Sequence, residues 1–265
     1  MTDKQCILCG PAAPCEHYAY VDGNEYLRCG ECGLVFVKDI APTETLYHSY
    51  GGGLLKSLRR KLFAPLRRMR SYKNYEQSLV RGRQMAEATA RYAHEQDGQI
   101  SFLDVGANRG FLLAAALEQG WDVYGIEIVP ELLVPFANTY PSNRNKLFSG
   151  RFTDCQSRFR DEMFDAITAI DVIEHLEDPV ADLRNIHRIL KPGGIFLIQT
   201  PDTSCSRARE EADRWGALKP LEHLFLFDPQ NLQKLASQVG FAEYQILDAF
   251  EEADGNFAAV MRKQA

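Results

Sequence analysis

The sequence lacks a long apolar run and an apolar N-terminal segment. The stretch from Met1 to Gly10 contains no apolar core of the kind that secretion signals carry. The longest purely apolar run, Phe111 to Leu117, is far shorter than the roughly 20 residues that a membrane-spanning helix needs. We therefore expect a cytoplasmic protein with no membrane partner.

The sequence also has no excess of positive charge. It holds 30 lysines and arginines against 36 aspartates and glutamates, a formal net charge of −6. A chain of this charge has no overall attraction to nucleic acid or to an anionic membrane, so such binding would need a local basic patch.

One basic patch does occur, between residues 56 and 73. Eight basic residues and no acidic one are interleaved there with apolar residues, and Pro65 is expected to break or kink the helix they form. The eight are Lys56, Arg59, Arg60, Lys61, Arg67, Arg68, Arg70 and Lys73. The segment is either a solvated helix that covers the catalytic domain or a contact for the phosphates of a substrate, nucleotide or nucleic acid.

Cysteine is rare outside the first 32 residues, which hold five of the seven. In a chain that is not secreted, such crowding favours a metal site over disulfides. Cys6-x-x-Cys9-Gly and Cys29-x-x-Cys32-Gly are two knuckles separated by nineteen residues, and each spacing lets two thiolates turn toward one ion. Four thiolates leave no open position for water, so we predict a structural Zn²⁺ ion. We expect the other candidates nearby, Cys15 and His17, not to be ligands, and Cys155 and Cys205 to be small core residues.

The chain divides into three parts by composition: a zinc ribbon at 1–41, a helical linker or lid at 42–95, and a catalytic domain at 96–265. In the third part apolar strand runs alternate with amphipathic helices, which predicts a parallel sheet with right-handed crossovers. Two helix starts carry an aspartate at the N-cap and proline at the first helical position, namely Asp178-Pro179 and Asp228-Pro229.

A glycine-rich turn follows the first strand of this domain, in the order Asp104-Val-Gly106-Ala-Asn108-Arg-Gly110. Small residues there let a ligand approach the backbone at the carboxyl edge of the sheet. Glu127 ends the next strand, where a carboxylate can accept hydrogen bonds from both ribose hydroxyls. Asn108 stands where a dinucleotide fingerprint has its second glycine, which disfavours NAD or FAD.

These motifs, in this order, resemble the class I S-adenosylmethionine-dependent methyltransferases. The resemblance rests on the glycine turn, Glu127, Asp171-Val-Ile-Glu174-His175 and Leu190-Lys-Pro-Gly-Gly194. It implies a Rossmann-like α/β fold with seven strands, the last antiparallel and placed at Asn256 to Arg262, and S-adenosylmethionine as the cofactor.

The resemblance also implies a set of cofactor contacts. The glycine turn would lie against the methionine part, Glu127 would hold the ribose, Phe152 would flank the adenine, and Asp171 with Val172 would close the pocket beneath the sulfonium. The residues so implicated are Asp104, Gly106, Ala107, Asn108, Gly110, Glu127, Ile128, Phe152, Asp171 and Val172.

The cysteine module is similar to that of family members with an N-terminal zinc domain, among them deoxysugar C-methyltransferases of antibiotic pathways. Glu222-His223 ahead of a helix resembles the Glu-His pair of those enzymes, whereas Pro220 stands where their catalytic tyrosine is expected. Methyl transfer requires removal of a proton from the acceptor, and histidine titrates near neutral pH. We predict His223 as the general base with Glu222 assisting, and His175 as a base or as a brace beside the cofactor.

The expected function is O- or C-methylation of a small, sugar-linked or natural-product substrate, with an anionic group that the basic segment would meet. Asp171-Val-Ile-Glu174 replaces the Asn/Asp-Pro-Pro-aromatic sequence that many amino-group methylases use, which favours oxygen or carbon acceptors. Two alternatives remain open at this point. One is an RNA methyltransferase that grips phosphates with the ribbon and segment 56–73, and the other is a non-catalytic cofactor-binding or zinc-scaffold protein.

Overall fold

Two β-sheets and seven α-helices organise the part of the chain that the structure, a computed structural model, describes. It describes residues 5–40, 64–93, 98–247 and 255–265, with side chains of the first helix from residue 75 onward. The larger sheet has seven strands in the order β10-β11-β8-β7-β4-β5-β6. Its strands are β4 (Ser101–Val105), β5 (Asp122–Glu127), β6 (Leu147–Ser149), β7 (Phe164–Ile170), β8 (Leu190–Pro201), β10 (Phe241–Leu247) and β11 (Asn256–Lys263).

The pairing within this sheet confirms the predicted Rossmann-like fold. Strands β4 to β8 run parallel to one another, while β11 pairs antiparallel with both β8 and β10. Six of the seven residues of β7 are buried, as expected for a central strand that helices cover on both faces.

Helices alternate with most of these strands, and several of them bury their apolar sides against the larger sheet. The helices are α1 (Ala64–Tyr92), α2 (Phe111–Glu118), α3 (Pro130–Thr139), α4 (Phe152–Cys155), α5 (Pro179–Ile189), α6 (Ser206–Glu211) and α7 (Pro229–Val239). Within the described residues, no helix is both long and apolar enough to cross a bilayer.

Side-chain caps start the two helices as the sequence predicts. The Asp178 carboxylate accepts a hydrogen bond from the Ala181 amide at 2.9 Å, and Asp228 accepts one from the Asn231 amide at 2.8 Å. Gly240 caps the C-terminal end of helix α7, and its φ of 104° lies in the left-handed region. Strand β8 begins at Leu190, directly after helix α5 ends at Ile189.

The smaller sheet joins the cysteine module to the catalytic part of the chain. Its order is β1-β2-β3-β9, with β1 (Cys15–Val21), β2 (Asn24–Cys29), β3 (Val35–Val37) and β9 (Phe225–Leu226). The Tyr26 hydroxyl, fully buried, donates to the His223 carbonyl at 2.9 Å, and the Val37 amide donates to the Leu224 carbonyl at 2.9 Å. The module is therefore built onto the segment that contains His223.

Helix α7 packs against the first cysteine knuckle. The Lys234 ammonium lies 3.0 Å from the Cys9 sulfur, and the Gln238 amide donates to the Leu8 carbonyl at 2.8 Å. A lysine beside a thiolate cluster offsets part of its negative charge.

The basic segment is only partly within the described residues. Residues 56–63 lie outside them, and 64–73 form the first turns of α1. Because that helix begins at Ala64, Pro65 lies in its first turn, where proline is tolerated. The predicted boundaries at 41/42 and 95/96 both lie in stretches outside the described residues. The three-part division therefore stays a prediction.

Candidate active site

A cavity of about 750 Å³ opens at the carboxyl ends of β4, β5 and β7. This is the edge at which open α/β sheets bind ligands, and the volume suits a cofactor. Every residue that the sequence implicated in cofactor binding lines the cavity except Gly110, and so does His175. Helix α1 forms a further wall with Tyr75, Ser78, Arg81, Gly82 and Met85.

The glycine turn is shaped by backbone conformations that side chains would obstruct. Gly106 has a φ of +78°, and a Cβ there would lie 2.4 Å from Cγ2 of Val172. Gly110 has a φ of +74°, and a Cβ there would lie 2.7 Å from the Phe136 ring. Gly110 therefore lets the turn pack on α3, whereas Gly106 lets the turn lie directly against Val172.

Glu127 is buried at the end of β5 with both carboxylate oxygens oriented by backbone amides. One oxygen accepts from the Asn108 amide at 2.7 Å and the other from the Val129 amide at 2.9 Å. Each carboxylate oxygen can accept a second hydrogen bond. Glu127 thus joins the glycine turn to the start of α3 and retains acceptor capacity for a diol, which fits the ribose of the implied cofactor.

Asp104 lies beneath the glycine turn and is buried. It accepts a hydrogen bond from the Thr168 hydroxyl at 2.7 Å. Burial raises the pKa of Asp104 to about 7, Thr168 opposes the rise, and the nearby charge of Glu127 adds to it.

Asp171 connects α1 to the edge of the sheet. Its φ of +55° is unusual for a residue other than glycine, and its amide donates to the Gln199 carbonyl at 2.9 Å. Its carboxylate accepts from the Gln199 amide group at 3.2 Å and from the Arg81 guanidinium at 3.1 Å. The Arg81 contact ties α1 to the cavity floor.

The sequence predicted a helical linker or lid at 42–95 but did not identify which residues of α1 line the cavity. One signal was available, a lone glycine within a long charged helix, which usually has a packing reason. A Cβ at Gly82 would lie 2.7 Å from the Phe111 carbonyl oxygen, so Gly82 lets α1 lie directly on the start of α2.

The two candidate histidines are neighbours. Their rings lie edge to face with centroids 4.8 Å apart, but only His175 lines the cavity. Nδ1 of His175 lies 2.7 Å from the Glu222 carbonyl, and Nδ1 of His223 lies 2.8 Å from the Ala217 carbonyl. A carbonyl oxygen only accepts, so each neutral ring carries its proton on Nδ1 and presents a lone pair on Nε2.

Burial lowers the pKa of both histidines. For His223 burial, with the charges of His175 and Lys219, brings the pKa to about 3. For His175 the hydrogen bond to the Glu222 carbonyl opposes the decrease. Glu222 meets this pair through its main-chain carbonyl, and the predicted assistance of its carboxylate to His223 stays a prediction.

Glu174 adjoins the histidines and received no role in the sequence reasoning. Its side chain is buried, its carboxylate accepts from the Thr200 hydroxyl at 3.0 Å, and its carbonyl accepts from the Leu224 amide at 2.7 Å. Burial, reinforced by Asp171, raises the pKa of Glu174 to about 8.

The four knuckle cysteines converge as predicted. Their sulfur atoms all lie within 4.8 Å of one another, and those of Cys6 and Cys32 are 3.5 Å apart. The Gly10 amide donates to the Cys6 carbonyl at 2.8 Å, which closes the first knuckle turn. The hydrogen bond with Cys32 lowers the pKa of the Cys6 thiol. This donor set fits a closed tetrahedral metal site.

The raised pKa of Asp104 makes a pH-dependent stability difference testable. Its folded carboxyl keeps a proton up to about pH 7, whereas an unfolded aspartate loses it near pH ~4. In that window the folded state binds more protons, so this group lowers the free energy of unfolding as pH rises. Asp104→Asn has no proton to lose.

We therefore expect the free energy of unfolding of Asp104→Asn, minus that of the wild type, to rise by about 1.4 kcal/mol per pH unit between roughly pH 4 and 7. Urea unfolding of the cofactor-free protein at several pH values measures it. The exposed Asp213→Asn is the matched control for loss of a surface carboxylate. A flat difference for Asp104→Asn would contradict the account.

Comparison with known proteins agrees with this geometry. The family model described as a methyltransferase domain matches residues 75–246. A ubiquinone biosynthesis O-methyltransferase of Xanthomonas campestris is 32% identical over 100 residues, which are 37% of this chain and 41% of that protein. The match thus spans about two fifths of the relative's length.

Solved structures agree on the fold. An S-adenosylmethionine-dependent methyltransferase from Archaeoglobus fulgidus superposes with a TM-score of 0.52 at 16% identity, covering 68% of this chain and 92% of that one. A methyltransferase structure from Thermotoga maritima gives a TM-score of 0.50 at 17% identity, covering 77% of this chain and 100% of that one. With the family model matching from residue 75 to 246, the chain belongs to the class I S-adenosylmethionine-dependent methyltransferases.

Proposed function

We propose that this protein transfers a methyl group from S-adenosylmethionine to an oxygen or carbon atom of a small molecule. The observation that carries the proposal is the cavity at the carboxyl edge of the sheet, with Glu127 held by two amides on its wall. Relatives named for O-methylation in ubiquinone biosynthesis support an oxygen acceptor.

The residues of the cavity suit the parts of the cofactor. Glu127 would hold the ribose hydroxyls, Phe152 would flank the adenine, and the backbone from Gly106 to Gly110 would lie along the methionine part. The bound cofactor supplies an electrophilic methyl group on its sulfonium. Arg81 and Gln199 already hold the Asp171 carboxylate, so Asp171 would form a fixed part of the cavity floor beneath the sulfonium of the cofactor.

Helix α1 supports the chemistry by restricting water. It forms one wall of the cavity and is tied to the floor by the ion pair of Arg81 with Asp171. Exclusion of water strengthens the electrostatic interactions around a reacting group and prevents hydrolysis. The lid predicted from the sequence at 42–95 therefore has a physical role in this proposal.

The proton of the acceptor has two candidate receivers. His175 lines the cavity, whereas His223 stands behind it in ring contact. A general base works best when its pKa lies near the working pH, and a pKa of about 3 is far below that for His223. In this proposal His175 is the group next to the acceptor, and a direct proton transfer to His223 stays a prediction from the sequence.

The cysteine module is proposed to hold one structural Zn²⁺ ion. The support is the convergence of four sulfur atoms on two glycine-closed turns, which leaves no ligand position for a substrate. Because its sheet includes β9, the module would stabilise the segment that carries His223.

Cofactor binding is the first test of the proposed function. We expect micromolar binding of S-adenosylmethionine or its demethylated product by calorimetry, and strong weakening in Glu127→Ala and Gly106→Val. The first loses the acceptor oxygens, and the second places a side chain where a Cβ already meets Val172 at 2.4 Å.

Glu131→Ala, in the exposed first turn of α3, is the control and should bind as the wild type does. Circular dichroism checks that each variant is folded. Tighter binding of NAD than of either methyl-donor ligand would refute the assignment.

Metal content tests the module. We expect about one zinc per chain in the purified protein by elemental analysis, and less in Cys29→Ser, because a lost thiolate breaks the closed ligand set. Cys15→Ser is the matched control, since Cys15 lies outside the four-cysteine cluster. Equal zinc in all three proteins would show that the knuckles are not the metal site.

A further inference from the structure

Besides the four cysteines, a second group of side chains of the types that bind metal ions converges next to the cavity. They are Glu174, His175 and His223, and one ligand atom from each lies within 4.8 Å of the others. Glu174 and His223 are buried, with 1% and 6% exposure, and His175 lines the cavity wall. The cluster therefore lies at the boundary between the protein interior and the candidate active site.

Backbone carbonyls orient both imidazoles toward the cluster. The Glu222 carbonyl accepts from Nδ1 of His175 at 2.7 Å, and the Ala217 carbonyl accepts from Nδ1 of His223 at 2.8 Å. Metal-ligating histidines usually donate their other ring N–H in this way, which fixes the ring and leaves Nε2 as the ligand. The Nε2 atom of His175 lies 3.9 Å from Oε1 of Glu174.

The carboxylate has a supporting partner as well. The Thr200 hydroxyl donates to Oε2 of Glu174 at 3.0 Å, while Oε1 is the oxygen on the His175 side. Hydrogen bonds to ligating carboxylates are common around metal ions. Buried, hydrogen-bonded histidines often have only a structural role. A structural role does not, however, require two histidines and a glutamate to converge on one point.

We propose that Glu174, His175 and His223 bind a divalent first-row transition-metal ion next to the acceptor site. Two imidazole nitrogens and one carboxylate suit zinc, iron, cobalt or manganese better than magnesium or calcium, which prefer oxygen ligands. Three protein ligands also leave positions open for water or substrate, unlike the four-thiolate site.

The charges around the cluster are mixed. Asp171 and Lys219 are close enough to act on Glu174, one with negative and one with positive charge. Their effects on a bound cation oppose one another, so the three ligands themselves supply the charge and lone pairs that hold it.

The ion would define the acceptor class as a hydroxyl compound, and this consequence rests on the proposed function whereas ion binding does not. A bound cation occupies Nε2 of His175 and lowers the pKa of a coordinated hydroxyl, so with the ion in place the acceptor O–H bond breaks and its proton passes to solvent instead of to His175. The oxygen then forms a bond to the methyl carbon as the S–C bond breaks, and that electron pair stays on sulfur. The net products are the methyl ether, the demethylated cofactor and one proton.

Cobalt titration of the full-length protein holding one zinc per chain, in the cysteine module, tests the site. We expect about one further equivalent of Co²⁺ to bind, with weak visible d–d absorption and without the strong sulfur-to-cobalt charge-transfer band of a thiolate site. In Glu174→Gln and His223→Gln the affinity should fall by more than roughly tenfold, because even outer-shell partners are worth about 10- to 100-fold.

His17→Ala is the control for histidines on the surface, since the side chain of His17 is 57% exposed, and it should bind Co²⁺ as the wild type does. A second measurement, NMR on the wild-type protein alone, does not depend on whether the variants fold. Bound Co²⁺ should shift two exchangeable imidazole N–H resonances, those held by the Glu222 and Ala217 carbonyls.

Absence of a bound equivalent of Co²⁺, wild-type affinity in both glutamine variants, or unshifted imidazole resonances would each overturn the proposal. Calorimetry with S-adenosylmethionine separates the two hypotheses. A protein that binds the cofactor but no Co²⁺ refutes the metal site alone, and one that binds Co²⁺ but no cofactor refutes the proposed function alone.

Discussion

The backbone of Leu224, through its amide and its carbonyl, is the connection on which the candidate active site depends. Its amide donates to the Glu174 carbonyl at 2.7 Å, and its carbonyl accepts from the Val37 amide at 2.9 Å. One residue thus bonds to the methyltransferase sheet edge on one side and to the cysteine module on the other. Buried backbone groups are costly to leave unpaired, so separating Leu224 from either Glu174 or Val37 would carry a free-energy penalty.

This connection gives the cysteine module a role in the active site. The module supplies the partner of the His223 carbonyl through Tyr26 and extends its sheet with β9. An ion held by the knuckles would stabilise the fold of the module and therefore the placement of the segment from Glu222 to Leu226. The position of His223 then depends on a metal site distant in sequence.

Local signals in the sequence were sufficient for the fold and for much of the cavity. The aspartate caps, the glycine turn and Glu127 each act through neighbours a few residues away or on the adjacent strand, and the predicted fold is confirmed. Pairing of β3 with β9 and the contact of Arg81 with Asp171 were missed because no local pattern encodes a partner at such separation. The roles assigned to the cofactor-binding and catalytic residues stay predictions.

Hydrogen exchange with and without a zinc chelator tests most directly whether the cysteine module supports the active site. The account predicts that chelation raises amide exchange in peptides covering Phe225–Leu226 and Ile173–His175, as well as in the module. Peptides from β4 and β5 should keep their protection, because these strands pair only within the larger sheet in the described structure. Loss of protection in the module alone, with the segment around His223 unchanged, would contradict the account.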